Sequence, residues 1–271
     1  MAMTIGGKTP QSIEIDGKAV QSLAIGGEVV WSAGTVIPFY LENQYNGLTT
    51  ITLAKKGTPS GASSLEWSGD LVTWTPVTYN SSGNFLIGLP NLNQRVYFRS
   101  TTGFSSSTSD RYTFSADHNF SAGGNIRWLI DYSHQVSAVP AYNFYSMFEN
   151  ATQLADVSQI SFSDITSVGD YGMSGMFSGC TQITNGADLR TITSVSHTAG
   201  MSSLYQGCSA LVTAVAPNTN PWKLPDETYS MATYGWLASV SATGTLYCPT
   251  GVSITSNHTS GRPSGWTRVD Y

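Results

Sequence analysis

Met176-Phe-Ser-Gly-Cys-Thr-Gln-Ile183 and Leu204-Tyr-Gln-Gly-Cys-Ser-Ala-Leu211 carry the same apolar pattern, and they begin 28 residues apart. An earlier copy keeps the pattern with alanine in place of cysteine, at Met147, Phe148, Ala151 and Leu154. Each copy follows a short β-prone run that ends in valine: Val136–Val139, Ile165–Val168 and Ile192–Val195. A period of this length is typical of stacked repeats, in which each unit buries its apolar edge against its neighbours. The C-terminal half is therefore predicted to be a solenoid.

Each repeat is expected to consist of a short helical turn, a corner at cysteine or alanine, and an extended stretch. The helical turns are predicted at Tyr145–Phe148, Met173–Phe177 and Met201–Tyr205. If the units stack, the rings of Phe148, Phe177 and Tyr205 must lie one above another. A degraded fourth unit around residues 229–237 and a tail from residue 244 to residue 267 are expected to close the stack.

The composition favours a mainly β protein and argues against a protein that binds nucleic acid. Only 11% of the 271 residues are charged, against about 25% in typical soluble domains. The net charge is −5, and Arg190 is the only basic residue from Trp128 to Trp222. The repeats therefore offer no cationic stripe for phosphates, so no nucleic-acid partner is expected.

Membrane insertion is not expected either, because no run approaches the roughly 18–20 apolar residues that span a bilayer. The start, Met1-Ala-Met-Thr-Ile-Gly-Gly-Lys8, lacks the charged and apolar parts of a signal peptide. Export by the usual secretory route is therefore not expected. Cys180, Cys208 and Cys248 lack CxxC spacing, and they are predicted to be buried apolar residues rather than a disulfide framework or zinc site.

Residues 1–34 contain a shorter repeat of ten residues, with Gly-Gly or Asp-Gly between β-prone runs. Such dipeptides favour two-residue hairpins. In these hairpins Ile25 is expected to face Glu28 and Leu23 to face Val30. The ribbon is too thin to be stable alone, so it is predicted to anchor or oligomerise the protein through Ile5, Ile13, Ile15, Val20, Leu23, Ile25 and Val30. The alternative is a terminal meander packed on its own chain.

Residues 35–116 alternate with the two-residue period of half-buried strands. The predicted strands are Ile37–Leu41, Thr49–Ala54, Ser64–Trp67, Val72–Thr78, Phe85–Leu89, Val96–Ser100 and Tyr112–Ser115. Seven short strands at this spacing predict a β-sandwich of immunoglobulin or fibronectin-III type. Residues 117–271 form the predicted solenoid domain, in which 117–135 cap the first repeat.

These motifs resemble BspA-type leucine-rich-repeat surface proteins of gut bacteria, especially Bacteroidetes, and of their phages. The matching stretches are Gly124–Leu129, Met176–Ile183, Leu204–Leu211, Gly244–Tyr247 and Pro263–Thr267, and Ser64–Trp74 resembles the small β-domain that often precedes such repeats. The chain departs from the family in its few repeats and in its N-terminal ribbon, which resembles pieces of phage structural proteins. The resemblance implies adhesion or ligand recognition, and it implies no catalytic residues.

Catalytic and cofactor motifs are missing from the sequence, so neither an enzyme nor a cofactor or metal site is expected. The histidines His118, His134, His197 and His258 are far apart, and there is no HExxH or Gly-x-Ser-x-Gly motif. The acidic residues Asp156, Asp164, Asp170 and Asp188 recur inside the repeats. A pair of glycosidase carboxylates is one interpretation, but solvated corners are favoured.

Aromatic residues cluster where the repeat pattern breaks down: Trp222, Tyr229, Tyr234 and Trp236. Irregular segments on a rigid scaffold tend to carry function, and flat aromatic faces suit sugar rings. These four residues are the candidate ligand-binding site, and the alternative is that they cap the last repeat.

The combined prediction is a fibre-type structural protein on the surface of a phage virion. Its N-terminus would contact other virion proteins and form a homotrimer, and its C-terminal domain would attach to a host surface glycan or protein. Two alternatives remain open, a BspA-like adhesin on a bacterial cell surface and a purely architectural capsid decoration protein.

Overall fold

The computed structural model describes residues 37–57, 65–133, 136–219, 231–252, 254 and 260–271, and the backbone of four strands before residue 33. The described chain is mainly β, with the short helix α1 (Trp128–Asp131) and a 3₁₀ turn at Met231–Thr233. In chain order the strands are β1 (Ile13–Ile15), β2 (Lys18–Val20), β3 (Ser22–Ile25), β4 (Glu28–Ser32), β5 (Phe39–Asn43), β6 (Thr49–Lys56), β7 (Glu66–Ser68), β8 (Thr75–Pro76), β9 (Asn84–Leu89), β10 (Arg95–Arg99), β11 (Arg111–Ala116), β12 (Phe120–Asn125), β13 (Ala138–Val139), β14 (Leu154–Ser161), β15 (Ser167–Val168), β16 (Ser194–Val195), β17 (Thr213–Val215), β18 (Gly244–Cys248) and β19 (Trp266–Asp270).

Residues Met1–Ile37 form a compact unit of their own, which contains the antiparallel hairpins β1–β2 and β3–β4. The predicted pairing of Ile25 with Glu28 is confirmed. The predicted pairing of Leu23 with Val30 is wrong, because a register shift after Leu23 pairs it with Trp31 instead. Such a shift places one extra residue in one strand of the hairpin.

Three more of the predicted anchoring residues, Ile13, Ile15 and Val20, lie in the hairpin β1–β2. Ile13 pairs with Val20 and Ile15 pairs with Lys18. Ile5 lies outside the described residues. The anchoring role of all seven residues stays a prediction.

The seven strands predicted between residues 35 and 116 are all present, as β5 to β11. The predicted strand Val72–Thr78 shrinks to the two residues of β8. The cause is Asp70, whose carboxylate accepts hydrogen bonds from the backbone N–H groups of Val72 and Thr73 and so holds a turn there.

Two sheets face each other across one core. Their strand orders are β14-β12-β5-β10-β7-β8 and β11-β6-β9. The ring of Phe114 on β11 lies 5.1 Å from that of Phe98 on β10 and 6.0 Å from that of Phe39 on β5, between centroids. All three side chains are fully buried.

The strand connectivity of this region differs from the predicted immunoglobulin or fibronectin-III type. In an immunoglobulin-type sandwich the first strand shares a sheet with the second, and the last shares a sheet with the one before it. Here the first strand of the region, β5, pairs with β10, and the last, β11, pairs with β6. The two outer strands have thus exchanged sheets.

Strand pairing crosses the predicted boundary between residues 116 and 117. β12, which was expected to be a capping bridge, pairs antiparallel with β5 and parallel with β14 of the first repeat. Gly123 permits this, since a Cβ there would lie 2.4 Å from the hydroxyl oxygen of Tyr40. Residues Pro38–Tyr271 accordingly form one compact unit with a continuous apolar core.

The repeats stack in register. Val139 pairs with Val168 and Val168 pairs with Val195, in a parallel sheet of β13, β15 and β16. The ring centroids of Phe148 and Phe177 are 5.8 Å apart at 10°, and those of Phe177 and Tyr205 are 5.3 Å apart at 8°. The predicted alignment of these three rings is confirmed. The apolar pattern is buried throughout: Phe144, Met147, Phe148, Ala151, Leu154, Met173, Met176, Phe177, Cys180, Ile183, Met201, Leu204, Tyr205, Cys208 and Leu211.

The predicted helical turns are wrong, because these segments are runs of reverse turns. The N–H of Met147 donates to the carbonyl three residues earlier, but the next N–H, that of Phe148, donates to Met176 in the following repeat. A residue with positive φ recurs every four positions, as at Ser146 (54°) and Asn150 (60°). This alternation turns half of the donors outward along the stack, whereas a helix would use them internally.

Residues 231–239 continue the ladder as a fourth unit. The N–H groups of Met201, Ser203 and Tyr205 donate to the carbonyls of Ala232, Tyr234 and Trp236 at 2.8, 2.7 and 2.8 Å. The degraded fourth unit is therefore present as a stacked turn. β17, which precedes this unit, and β18 and β19, which follow it, form a separate parallel sheet.

Candidate binding surfaces

A small pocket opens beside the last parallel sheet. Val215, Tyr247 and Val269 are cross-strand partners on β17, β18 and β19. Because their neighbours Ala214 and Leu246 are fully buried, the two-residue period of a strand turns this row toward solvent. The pocket has a volume of about 160 Å³ and is lined by Arg190, Val215, Tyr247 and Tyr271.

Two of the four residues that line the pocket are tyrosines, Tyr247 and Tyr271. The side chain of Tyr247 is 37% exposed. Tyr271 donates a hydrogen bond from its hydroxyl to the carbonyl of Ala216 at 2.8 Å, which fixes its ring. Burial raises the pKa of Tyr271 to about 12, with a further contribution from the negative charge of Asp188. The phenol is therefore neutral at physiological pH.

The polar edge of the pocket is an ion pair. Nε of Arg190 lies 3.0 Å from each carboxylate oxygen of Asp188, which also accepts the backbone N–H of Arg190. The hydrogen bond from Arg190 holds the pKa of Asp188 below its usual value. The guanidinium carbon of Arg190 lies 5.6 Å from the ring centroid of Tyr271. The edge thus presents donors and acceptors without net charge.

A second aromatic surface lies on the turns of the first two repeats. The rings of Tyr142 and Tyr171 stack 5.1 Å apart at 8°, and Tyr145 meets Tyr171 edge-on at 6.4 Å. Arg111 lies over Tyr145 and donates a 3.0 Å hydrogen bond to Glu149. These rings are half-buried and already stacked on each other, so this surface is less open than the pocket.

The four predicted ligand residues do not form one site in the described chain. Trp222 and Tyr229 lie outside the described residues. Tyr234 is 44% exposed. Trp236 is corrected from ligand contact to core residue: it is fully buried, and its indole N–H donates to the carbonyl of Gly261 at 2.9 Å. The backbone N–H of Tyr205 donates to the carbonyl of Trp236. Trp236 is therefore the equivalent of Tyr205 in the next turn of the stack, where this side chain is buried.

Sequence reasoning missed the pocket, because its residues are separated by long stretches of chain. Two signals were present. Arg190 is the only basic residue between Trp128 and Trp222. The other signal is a short pattern, threonine, any residue, then valine or tyrosine, at Thr213–Val215, Thr245–Tyr247 and Thr267–Val269, and the structure pairs these three segments in register.

The recurring carboxylates have local partners. Asp164 accepts a 2.6 Å hydrogen bond from the side chain of Asn125 and pairs with Arg127 at 3.4 Å. Asp170 accepts a hydrogen bond from Ser196, and Asp188 pairs with Arg190. Within the described ranges no group of three or more His, Cys, Asp or Glu side chains is placed to hold a metal ion.

The three thiols are buried, as predicted. Burial raises the pKa of Cys208 to about 12 and that of Cys180 well above its usual value. Such thiols are protonated and poorly nucleophilic at physiological pH. Cys180 and Cys208 donate to the carbonyls of Phe148 and Phe177 in the preceding repeat, at 3.1 and 3.0 Å.

Among the helices that the structure describes, none has the length and apolar character needed to cross a membrane. Comparison of the chain with known protein families, with curated proteins and with solved structures finds no match.

Proposed function

We propose that this chain is a fibre-type structural protein on the surface of a phage virion. Its N-terminal hairpins anchor and trimerise it, and the β-rich region after them is a spacer. The C-terminal half is a leucine-rich-repeat-like solenoid that attaches to a glycan or protein on the host surface. The resemblance of the repeats to BspA-type surface proteins supports this proposal.

The observation that carries the proposal is the register of the repeats. Backbone hydrogen bonds join each turn to the next, as from Phe148 to Met176 and from Phe177 to Leu204, at 2.8 and 3.0 Å. The rings inside the stack are nearly parallel. A scaffold that is bonded at every turn holds its surface groups in fixed positions, and a preformed surface loses little entropy when it binds.

The pocket favours attachment over a purely architectural role. It combines two tyrosine rings with a polar edge, which is the usual makeup of a small-ligand site. A decoration protein without a receptor has no need for such a concavity. Several copies on one particle would raise a weak single-site affinity through effective concentration.

Cell binding tests the attachment role. Fluorescently labelled full-length protein is incubated with a panel of gut Bacteroidetes strains and measured by flow cytometry. We expect saturable binding to a subset of strains, competed by unlabelled protein. Absence of binding to every strain would contradict attachment and favour a decoration protein. Immunogold labelling of phage particles and of bacterial cells separates a virion protein from a bacterial adhesin.

Light scattering tests the trimer. Full-length protein is expected to have three times the mass of one chain, whereas Pro38–Tyr271 is expected to be a monomer. The physical reason is that a two-stranded ribbon needs a partner surface to be stable. The double variant Ile13→Asp, Ile25→Asp is expected to convert the full-length protein from a trimer to a monomer. Monomers in both lengths would disprove trimerisation through the hairpins.

A further inference from the structure

We infer that the pocket between Arg190, Val215, Tyr247 and Tyr271 binds one uncharged sugar ring at the tip of a surface glycan. This inference rests on the proposed attachment function and gives it a site and a ligand class. The residues that line it are not among the four that the sequence predicts as a ligand site.

The shape of the pocket selects a small ring. Its volume of about 160 Å³ is below the 300–1,000 Å³ of pockets that enclose drug-sized ligands. One ring fits such a space, with the remainder of a chain passing out into solvent. A peptide partner would need either a groove or an apolar anchor side chain, and the ion pair at the rim is poorly suited to an apolar anchor.

The walls of the pocket suit the two faces of a sugar. The C–H face of a pyranose ring is apolar and lies flat on an aromatic ring, and Tyr247 and Tyr271 supply such rings. The hydroxyl of Tyr271 is turned away toward the carbonyl of Ala216, so that side chain offers its face rather than its polar tip. Val215 adds an apolar side chain to the lining.

The charges at the rim select an uncharged ligand. Asp188 neutralises Arg190 through two contacts of 3.0 Å to Nε, so the pair has donors and acceptors but no net charge. Carboxylate and guanidinium together match the hydroxyl groups of a neutral sugar, which both donate and accept. An acidic sugar would bring its carboxylate against Asp188 on a chain whose net charge is −5.

The strand face next to the pocket offers a path for a second ring. Thr213, Thr245 and Thr267 form a cross-strand row two residues before Val215, Tyr247 and Val269. Residues two apart on a strand lie about 6.6 Å apart on the same face. The threonine side chains are at least partly exposed. A disaccharide is therefore expected to bind more tightly than a single ring.

The test is saturation-transfer NMR on the full-length protein with single sugars. The probes are the methyl glycosides of glucose, galactose, mannose and N-acetylglucosamine, compared with glucuronic acid and N-acetylneuraminic acid. We expect at least one neutral glycoside to bind and the two acids to bind at least tenfold more weakly. Tyr247→Ala is expected to weaken binding about tenfold, through the loss of the stacking face.

Tyr45→Ala is the matched control, because Tyr45 is a 44% exposed tyrosine that does not line the pocket, and it is expected to leave sugar binding unchanged. Val215→Trp keeps both tyrosines but fills the pocket, and it is expected to abolish binding while thermal unfolding shows a folded chain. Binding of none of the neutral glycosides, or binding that survives both Tyr247→Ala and Val215→Trp, would overturn the inference. If the unsubstituted protein binds cells but none of the neutral glycosides, this site is rejected and the attachment function stands, whereas an unsubstituted protein that binds neither cells nor sugars would reject both.

Discussion

Cys208 shows how a single side chain supports the stack. It is fully buried, and its thiol donates to the carbonyl of Phe177 at 3.0 Å. The first repeat has Ala151 at the same place, also buried. The position thus requires a small apolar group, and the thiol adds only a weak hydrogen bond and one buried sulfur atom.

Cys208→Ala is therefore expected to lower the free energy of unfolding by about 1 kcal/mol. Cys208→Asp places an unpaired carboxylate in the core and is expected to cost more than about 4 kcal/mol, or to prevent folding. Urea unfolding measures both. Equal losses for the two variants would show that the position demands the sulfur itself rather than an apolar group.

Stability is expected to fall at alkaline pH. Burial raises the pKa of Cys208 to about 12 and that of Cys248 to about 11, against about 8.5 for an unfolded cysteine. Above pH 8.5 the unfolded chain releases protons that the folded chain keeps, so the free energy of unfolding decreases as pH rises toward 12. Below about pH 8.5 these thiols are protonated in both the folded and the unfolded chain, so they do not change the free energy of unfolding with pH.

The urea midpoint at pH 7 and pH 10 measures this dependence. Replacing the thiol in Cys208→Ala removes one of the titrating groups, so the fall between the two pH values is expected to be smaller than in the parent chain. An equal fall in both proteins would show that Cys208 does not titrate as its burial implies.

At the scale of elements, the sequence pattern misidentifies the turns. Apolar residues three and four apart, as at Phe144, Met147 and Phe148, resemble one face of a helix. The turns instead need positive φ at every fourth position, which glycine adopts most easily. Glycine is present at four of these positions, Gly175, Gly179, Gly207 and Gly235, but the first repeat has Ser146 and Asn150 in place of the first two. When the repeats are aligned, glycine at these positions is the sequence signal that indicates turns rather than a helix.

The ring column is the element on which the stack depends most. Phe177 is fully buried between Phe148 and Tyr205, at centroid distances of 5.8 and 5.3 Å. Phe177→Ala is expected to cost about 3–5 kcal/mol, because it leaves a cavity between two repeats. Urea unfolding of purified protein measures the loss.

Tyr171→Ala is the control in the same repeat, because Tyr171 is stacked on Tyr142 but only half-buried. We expect it to cost about 1 kcal/mol. If both variants lost the same amount of stability, the interior rings would contribute no more than the surface rings, and the repeats would not depend on their stacked core.

At the scale of the whole molecule, the division into a β-domain and a repeat domain does not describe the packing. The sheet order β14-β12-β5 joins the first repeat to the strands that begin at Phe39. The ring of Phe148 lies 5.7 Å from that of Phe114 and 6.4 Å from that of Phe39. The core of one region is therefore completed by the other.

Fragments test this coupling. Pro38–Tyr271 is expected to unfold in one cooperative transition, whereas residues 35–116 and 117–271 expressed separately are expected to lack native stability. Each fragment exposes a strand edge, and cutting between them exposes Phe114 in one fragment and Phe148 in the other. Circular dichroism and thermal unfolding of the three fragments measure this. A folded, cooperative 35–116 fragment would show that the β-region is an independent domain.

The sequence by itself determined the local and repeating parts of this protein: the strands β5 to β11, the tight hairpins, and the apolar column from Phe148 to Tyr205. These follow from the side-chain period and turn chemistry, which act over a few residues or recur at a fixed spacing. Only the tertiary structure decided which strands pair, since β5 meets β10 and β12 across long stretches of chain, and only it brought Arg190, Tyr247 and Tyr271 together. Such contacts depend on how distant surfaces fit, and no short pattern along the chain records that fit.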